Sequence, residues 1–461
     1  MNGKSSVLVV GGGLAGLAAA CELADRGKRV TLLEKRPFLG GRTYSHIDKR
    51  SGLEIDNGQH VFLGCCREYI GFLKRLDVYH KVHLQKRLRV RIIDKVWGES
   101  VLEDSGLPAP LHLLPSLLRF RSLSPDERVR AIWAFTRIRS LNRRKQPELD
   151  EITFGQWLRR EHQTPNAIGS LWNLMIQPTL NDDVSRVSAD LALMVLQEGF
   201  LSGRDGANVG WAKVGLSALL AEAARRYIEE RGGEVRLGLG LDAIETENGA
   251  VRRALAGGGE WTADSYVLAL PVERLLPVLP EAVRREPFFG RVGRFETSPI
   301  VNVHMWYDRP VWGGDFAAFL NTPLQWVFNK SKLWGQQDDG GQYIDISLSG
   351  AHDFAGTPAA EIIDLFTKEV QSLLPAARGA NLKRALVVKQ RDATFAPRPG
   401  IAALRPSQRT PIENLFLAGD WTDTGWPATM ESAVRSGLLA AREVLRSADR
   451  RVPGGEVVEV H

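Results

Sequence analysis

The chain has 461 residues, 44% of them hydrophobic and 25% charged, with a formal net charge of +6. This composition is typical of a globular enzyme with two or three domain-sized units, and it excludes a disulfide-stabilised miniprotein, a collagenous chain and a low-complexity chain. The three cysteines, Cys21, Cys65 and Cys66, offer no evident disulfide pair, so their usage predicts a reducing, cytoplasmic compartment.

A nucleotide site is predicted at the N-terminus. Residues 7–10 are a continuous aliphatic run, as expected of a parallel strand buried on both faces. The run ends at a glycine turn with the G-x-G-x-x-G spacing of dinucleotide-binding folds, formed by Gly11, Gly13 and Gly16. Leu14 and Ala15 open the helix that follows, whose free N–H groups favour a pyrophosphate.

The next strand, residues 29–33, strengthens this prediction because it ends at an acidic residue. The carboxylate of Glu34 stands where dinucleotide-binding folds accept a hydrogen bond from a ribose hydroxyl, and it disfavours a 2′-phosphorylated dinucleotide. Lys35 comes directly after it, and Gly40, Gly41 and Arg42 follow. An arginine fork can satisfy phosphate oxygens bidentately, so Arg42 is a predicted phosphate ligand.

The Gly40-Gly41-Arg42 segment and the segment 56–60 together resemble the extended fingerprint of the flavin-containing amine oxidase and carotenoid desaturase superfamily. The resemblance implies FAD, with the Gly-Gly-Arg segment wrapped around its diphosphate. It also implies that Lys35, Asn57 and Gly58 belong to the cofactor site. Since no cysteine follows Arg391, the FAD is predicted to be noncovalent.

Later fragments match the same discontinuous fold in the same order. A helix over 215–231 and a strand over 234–237 precede Leu241, for which the resemblance implies a backbone contact to adenine. Asn248-Gly249 predicts a hairpin, and residues 261–270 are expected to complete an antiparallel meander. A buried strand over 414–418 ends at Gly419-Asp420, and a final helix follows that runs to about residue 445. The resemblance implies that five residues of this region bind the cofactor: Gly419, Asp420, Thr429, Met430 and Ser432.

The predicted fold class is therefore α/β, a Rossmann-like FAD-binding domain with an inserted α+β substrate domain. The FAD-binding domain is assigned to residues 1–75, 205–275 and 395–446, and the substrate domain to 76–204 and 276–394. Residues 447–461 are predicted to form a flexible tail.

The type of chemistry is indicated by two segments. Amine oxidases place an aromatic residue where this chain has Thr429, so the final motif resembles the carotenoid desaturase version. Residues 56–66, together with 172–181 and 209–211, resemble the hydroxysqualene dehydroxylases of bacterial hopanoid synthesis, over nearly the whole chain. That resemblance implies reductive removal of an allylic hydroxyl to give squalene. Alternatives are a carotenoid-type desaturase or isomerase, an amine oxidase, and a protein that presents lipid to a partner.

Three side chains are candidate general acids for such a reaction: His60, Asp56 and Asp423. For His60 and Asp56 the alternative is that they hold a turn or bond the flavin. Five aromatic residues either line a hydrocarbon tunnel or belong to the core: Trp172, Trp211, Trp326, Phe328 and Trp426. No metal site is predicted, and the sequence does not indicate the electron donor.

A basic cluster over residues 119–145 follows an apolar segment at 107–120 that is broken by prolines. The cluster is either a solvated helix face or a surface that binds anionic lipid, and the apolar segment is either a core helix or an interfacial one. Nucleic acid is not predicted, because no recognition motif accompanies the charge. No apolar run reaches the length needed to span a bilayer. The sequence therefore predicts a cytoplasmic protein or, alternatively, one in peripheral contact with the inner face of the cytoplasmic membrane.

Overall fold

The computed structural model describes residues 5–49, 52–335 and 340–450, with side chains to residue 448. Within these ranges the strands are β1 (Ser6–Val10), β2 (Arg29–Glu34), β3 (Ser45–Ile47), β4 (Glu54–Asp56), β5 (Val61–Leu63), β6 (Val82–Leu84), β7 (Arg89–Asp94), β8 (Gly98–Glu103), β9 (Val209–Ala212), β10 (Glu234–Leu237), β11 (Leu241–Glu247), β12 (Ala250–Ala256), β13 (Gly259–Trp261), β14 (Ser265–Leu268), β15 (Thr297–Tyr307), β16 (Phe316–Leu320), β17 (Trp326–Asn329), β18 (Gln342–Ser349), β19 (Leu382–Phe395) and β20 (Leu415–Leu417).

The α-helices of the same ranges are α1 (Leu14–Asp25), α2 (Arg67–Arg75), α3 (Leu114–Leu118), α4 (Pro125–Ser140), α5 (Phe154–Arg160), α6 (Pro165–Ala167), α7 (Asn173–Leu180), α8 (Ala189–Val195), α9 (Leu216–Glu229), α10 (Val272–Val278), α11 (Glu281–Arg284), α12 (Pro287–Gly290), α13 (Lys330–Trp334), α14 (His352–Ala355), α15 (Ala359–Leu373), α16 (Ile401–Leu404) and α17 (Met430–Arg450). Two π-helical turns, Ile168–Trp172 and Leu196–Leu201, adjoin α7 and α8.

A five-stranded parallel sheet, in the order β10-β2-β1-β14-β20, forms the N-terminal core. Alternate residues of each strand point to opposite faces, and both faces are covered. One face, including Val7, Val9 and Leu32, packs with α1, α9 and α17. The other, including Leu8 and Val10, packs with strands β11 and β12. This is the predicted Rossmann-like α/β fold.

The predicted meander differs from the structure in its third strand. Asn248 and Gly249 have the positive φ values of a tight hairpin between β11 and β12, as expected. The partner of β12, however, is the short strand β13, whereas β14 pairs in parallel with β1 and β20. The physical reason is burial, since all four residues of β14 are buried, as a central parallel strand requires.

A seven-stranded mixed sheet, in the order β19-β15-β18-β17-β16-β7-β8, dominates the rest of the molecule. Its outer face, with Val301, Val303 and Ile346, packs against α15. The opposite face carries polar residues on β15 and β18 and aromatic ones on β16 and β17. The domain boundaries assigned from the sequence stay a prediction.

Two small sheets hold the segment from Ser45 to Leu63. Strands β3 and β4 form an antiparallel pair, and β5 joins a three-stranded sheet in the order β5-β9-β6. At the other end of the chain, α17 continues to Arg450, past the predicted start of the tail at 447, because Ser447 is still buried. Residues 451–461 lie outside the described residues. None of the described helices combines the length and apolarity needed to cross a bilayer.

Candidate active site

The glycine turn lies between β1 and the N-terminus of α1, as predicted. Gly13 is the N-cap of α1 and supplies no side-chain cap, so the N–H groups of the first helical turn, at Leu14, Ala15 and Gly16, are available to an anion. A Cβ on Gly16 would lie 1.9 Å from the carbonyl oxygen of Gly11, so the turn closes only with glycine there.

The segment around Gly40 is laid directly on this turn. Gly40 donates its N–H to the carbonyl of Gly12 at 2.8 Å and forms a parallel bridge with Gly13. Gly41 lies beside Gly13 and has a positive φ of 61°. The two predicted phosphate-binding segments therefore form one cradle.

Glu34 lies at the same turn. Its buried carboxylate accepts hydrogen bonds from the N–H of Gly12 at 2.7 Å and from the N–H of Arg36 at 2.8 Å. The segment that leads to Leu241 runs alongside, because Leu239 donates to the carbonyl of Glu34 at 2.9 Å. A carboxylate fixed here by backbone donors stands where a ribose hydroxyl would reach it. Lys35 is exposed beside this segment.

Arg42 joins the N-terminal cradle to the C-terminal fragment. Its guanidinium lies 2.5 Å from the carboxylate of Asp420 and donates to the carbonyl of Ala393 at 2.8 Å. The carboxylate of Asp420 raises the pKa of Arg42, so the arginine stays charged. Asn57 donates to the carbonyl of Arg42 at 3.1 Å, which ties the segment 56–60 to the same cradle.

The C-terminal residues of the predicted site have structural contacts of their own. Gly419 donates its N–H to the hydroxyl of Ser436, 2.9 Å away. Thr429 accepts from the N–H of Ser432 at 3.2 Å, directly before Met430 begins α17. The Ser432 hydroxyl donates to the carbonyl of Asp420 at 3.0 Å. These residues hold the Gly-Asp loop against the N-terminus of the last helix.

These features fit FAD. A glycine cradle, an uncapped helix N-terminus, a carboxylate at the end of β2 and a charged arginine are the groups that a dinucleotide diphosphate and its ribose require. The residues that would hold it are those of the first glycine turn together with Glu34, Arg42 and Asp420.

Beside this cradle the structure places a buried charged cluster. The ammonium of Lys330 lies 2.7 Å from the carboxylate of Asp56 and 3.0 Å from the side-chain oxygen of Gln59. The ammonium also lies over the ring of Trp334, 4.0 Å from the ring centroid. Lys330 is only 1% exposed. The second carboxylate oxygen of Asp56 accepts from the hydroxyl of Ser45 at 2.9 Å. Asp56 is thus an ion-pair partner with both oxygens engaged, which disfavours its predicted role as the acid.

Asp345, on the inner face of the seven-stranded sheet, completes the cluster. Burial raises the pKa of Asp345 to about 7, against the opposing charge of Lys330. The amide of Asn302 donates to its carboxyl group at 3.2 Å. His304 lies 3.4 Å from the same group and 2.7 Å from the hydroxyl of Tyr343. Burial lowers the pKa of His304 to about 3, so this imidazole is neutral. Asp345 is therefore a carboxyl group that titrates near neutral pH.

His60 lies within electrostatic reach of the same charges. Burial lowers its pKa to about 4, with Asp56 opposing and Lys330 and Arg42 adding to the shift. The imidazole is therefore neutral at pH 7 and has no proton to give as an imidazolium, which disfavours the predicted role of general acid. Asp423 lies elsewhere. Its exposed carboxylate accepts from the N–H of Gly425 in a surface turn, and the structure does not bring it into the cluster.

Three of the five predicted tunnel aromatics lie together. Trp326 and Phe328 stack on the inner face of the sheet with Phe316, and Trp211 contacts Phe316 edge-on with ring centroids 5.7 Å apart. Trp172 instead belongs to the core, with Phe154 against its ring and its indole N–H bonded to Gln163. Trp426 lies under the guanidinium of Arg435.

Sequence analysis missed Lys330, Asp345 and His304. Lys330 lies 274 positions from its partner Asp56, so no local spacing could reveal the pair. A signal existed for Asp345, an acidic residue between two isoleucines in the strand β18.

Comparison with known proteins places this site in context. The fold and cradle define an FAD-binding oxidoreductase of the Rossmann-like type. Residues 14–445 match the family described as flavin containing amine oxidoreductase, and the chain belongs to that family.

Individual relatives are similar to this chain over most of its length but at low sequence identity. The 15-cis-phytoene desaturase of Narcissus pseudonarcissus is 29% identical over 454 residues, covering 95% of this chain and 79% of the relative. That of Synechococcus elongatus is 26% identical over 464 residues, covering 96% of each. A solved oxidoreductase from Methanosarcina mazei has a TM-score of 0.74 at 18% identity, covering 96% of this chain and 100% of the other. This last likeness concerns the fold.

Proposed function

We propose that the protein is an FAD-dependent oxidoreductase that exchanges two electrons with a long-chain isoprenoid hydrocarbon. The observation that carries the proposal is the inner face of the seven-stranded sheet, where an aromatic wall of Trp211, Phe316, Trp326 and Phe328 adjoins a small polar cluster. A substrate of this class offers few polar groups, so its affinity comes from burial at about 0.8 kcal/mol per CH₂. The relatives named as phytoene desaturases support the same substrate class.

When bound, FAD would supply the hydride chemistry, as donor or as acceptor. The two candidate reactions differ in what they require of the protein's own groups. Desaturation removes a hydride and a proton from the substrate, so it needs a base. His60 is the candidate base because its imidazole is unprotonated at neutral pH, although a pKa of about 4 makes it a weak one. The named relatives favour this reaction.

Reductive removal of an allylic hydroxyl makes the opposite demand. The hydroxyl must be protonated so that water can leave, and the resulting allylic cation then accepts a hydride. Asp345, with a pKa of about 7, is a group that can hold that proton. Nearby aromatic faces would stabilise the cation, by about 2 kcal/mol where water is excluded. The resemblance of residues 56–66 to the hydroxysqualene dehydroxylases also favours this reaction.

One pair of assays separates the two. Pre-reduced protein is mixed without oxygen with hydroxysqualene in detergent, and oxidised protein is mixed with phytoene. Squalene together with flavin reoxidation supports dehydroxylation, whereas bleaching of oxidised flavin with a more conjugated product supports desaturation. If neither substrate changes the flavin absorbance, the isoprenoid proposal fails.

The pH dependence provides a second criterion. A dehydroxylation that uses Asp345 slows as the pH rises through about 7, and Asp345→Asn removes that dependence along with most of the rate. A desaturation that uses His60 as base slows only as the pH falls towards about 4, and His60→Gln impairs it.

A further inference from the structure

An apolar patch lies on the surface formed by α3, α4 and the β7–β8 hairpin. On α4, Val129 is 65% exposed and Trp133 is 57% exposed, one helical turn apart on the outward side. Leu111, just before α3, is 51% exposed. The full patch consists of Val96, Trp97, Leu107, Leu111, Leu118, Val129 and Trp133. Seven of the ten exposed large apolar side chains among the described residues lie on these neighbouring elements, and such a concentration marks an interaction site.

Hydrogen bonds join the three elements of the patch into one surface. The Ser116 hydroxyl of α3 bonds both the N–H and the carbonyl of Glu103, at the end of β8, at 2.9 Å. The guanidinium of Arg128, on α4, donates to the carbonyl of Phe120 at 3.0 Å. The N–H of Arg121 donates to the hydroxyl of Ser100 at 3.1 Å, which fixes the start of α4 beside the hairpin.

The basic cluster over residues 119–145 belongs to the same part of the chain, but only some of its cations are unpaired. Arg143 is engaged with Asp190 at 2.7 Å and with Gln197, so it holds the fold together. Arg130 and Arg137 pair with acidic neighbours. Within the part of the chain that the structure describes, the exposed cations of this region that form no such pair are Arg119, Arg121, Arg139, Arg144 and Lys145. The surface therefore combines unpaired positive charge with exposed apolar side chains.

The interior under the patch is continuous with the candidate substrate site. Leu117 and Phe120, buried beneath α3, belong to the same apolar cluster as Phe316 and Phe328. Strand β7, which lies behind the patch, pairs directly with β16, which carries Phe316. The apolar interior beneath α3 thus belongs to the same core as the aromatic wall.

We infer that this surface docks the protein on an anionic lipid bilayer, with the apolar patch in the interfacial layer and the unpaired arginines and Lys145 on the lipid head groups. Charge complementarity selects this occupant, since a neutral apolar partner would leave these cations unused. The inference rests on the proposed function only in one respect: docking would give the enzyme access to a hydrocarbon substrate that resides in the bilayer. Docking itself requires no substrate.

Vesicle flotation tests the inference with the full-length protein loaded with FAD and without substrate. Vesicles of phosphatidylcholine alone are compared with vesicles that also contain phosphatidylglycerol. We expect binding to the anionic vesicles that weakens with salt. Replacing Arg119, Arg121 and Lys145 by glutamine should lower the partition coefficient roughly a hundredfold at low salt, since each surface cation contributes about a factor of five. Val129→Asp with Trp133→Asp should lower it at least about tenfold.

A charge-matched control replaces three exposed arginines of other elements by glutamine, Arg226, Arg274 and Arg294, and should leave flotation nearly unchanged. Unaltered flavin content and circular dichroism show that each variant is folded. Equal losses in the patch and control variants would overturn the inference, as would unchanged flotation of both patch variants. If the aspartate changes instead dissociate a dimer and leave flotation intact, the patch binds a second copy of the chain and the inference is wrong. Flotation that succeeds while the isoprenoid assays fail would refute only the proposed reaction.

Discussion

The raised pKa of Asp345 makes the stability of the fold depend on pH, and Asp345→Asn should remove that dependence. Burial raises the pKa of this carboxyl group from 3.8 to about 7, so between these values the folded state keeps a proton that the unfolded chain has released. Its contribution is therefore least unfavourable below about pH 4, becomes more unfavourable as the pH rises, and is at its full cost above about pH 7. At about 1.4 kcal/mol per pH unit, the full cost is ~4 kcal/mol.

The assay is equilibrium unfolding in urea at several pH values, with saturating FAD in every sample. Asparagine keeps the shape of the side chain and carries no charge. We expect the variant to match the wild type within about 1 kcal/mol near pH 4 and to exceed it by up to ~4 kcal/mol near pH 8. His60 and His304 titrate in both proteins, so their contributions cancel in the difference. Asp364→Asn, which removes a carboxylate from an exposed pair with Lys368, is the matched control and should give a nearly constant difference. A constant difference for Asp345→Asn as well would refute the reasoning.

The remaining predictions concern the charged cluster and the glycines. Lys330→Met leaves Asp56 buried without its ammonium and should lower the free energy of unfolding by ~3–5 kcal/mol, and adding Asp56→Asn should recover part of that loss in urea unfolding. Gly58 has a φ of 144°, and Gly58→Ala places a Cβ 2.6 Å from the amide oxygen of Asn302. The change should lower the free energy of unfolding by ~1–3 kcal/mol, measured by thermal unfolding. Gly16→Ala pushes apart the turn that faces the diphosphate, so the purified protein should contain less flavin per chain in its absorbance spectrum.

Gly71→Ala is the control for both glycine changes. Gly71 lies in α2, and a Cβ there would meet no atom within 4 Å. The change should leave stability and flavin content unaltered or slightly improved, since alanine favours a helix by about 1 kcal/mol over glycine. Equal effects at Gly16 and Gly71 would contradict the role given to the glycine turn.

The nucleotide half of the molecule could be predicted because its signals are local. The strand, glycine turn and helix at the N-terminus are consecutive in the chain, and Glu34 follows at the end of the next strand. Hydrophobic periodicity and the glycine turn motif therefore indicate these elements without any knowledge of tertiary contacts. The prediction places β14 in the meander, whereas the structure pairs it with β1 and β20. An apolar run alone does not indicate which sheet buries it.

The polar half of the site could not be predicted, because its members meet only in the folded chain. Asp56 was a candidate from its motif, yet its role depends on Lys330, which the chain contributes from α13. The same holds for the basic cluster, where the sequence showed nine cations and the structure separates Arg143, which pairs with Asp190, from the unpaired ones. Residue type and spacing give the number of charges, and only packing determines which of them are neutralised.

The buried ion pair gives a physical reason for a carboxyl group poised near neutrality. Burial alone would favour the protonated form of Asp345 strongly, and the ammonium of Lys330 opposes it by stabilising the ionised form. The carboxylate of Asp56 acts in the other direction by disfavouring a second negative charge, and its effect on the pKa is the smaller of the two. Removing Lys330 alone should raise the pKa of Asp345 further, and removing Asp56 alone should lower it. Since the two charges oppose each other, replacing the whole pair by apolar residues should shift the pKa of Asp345 less than removing Lys330 alone.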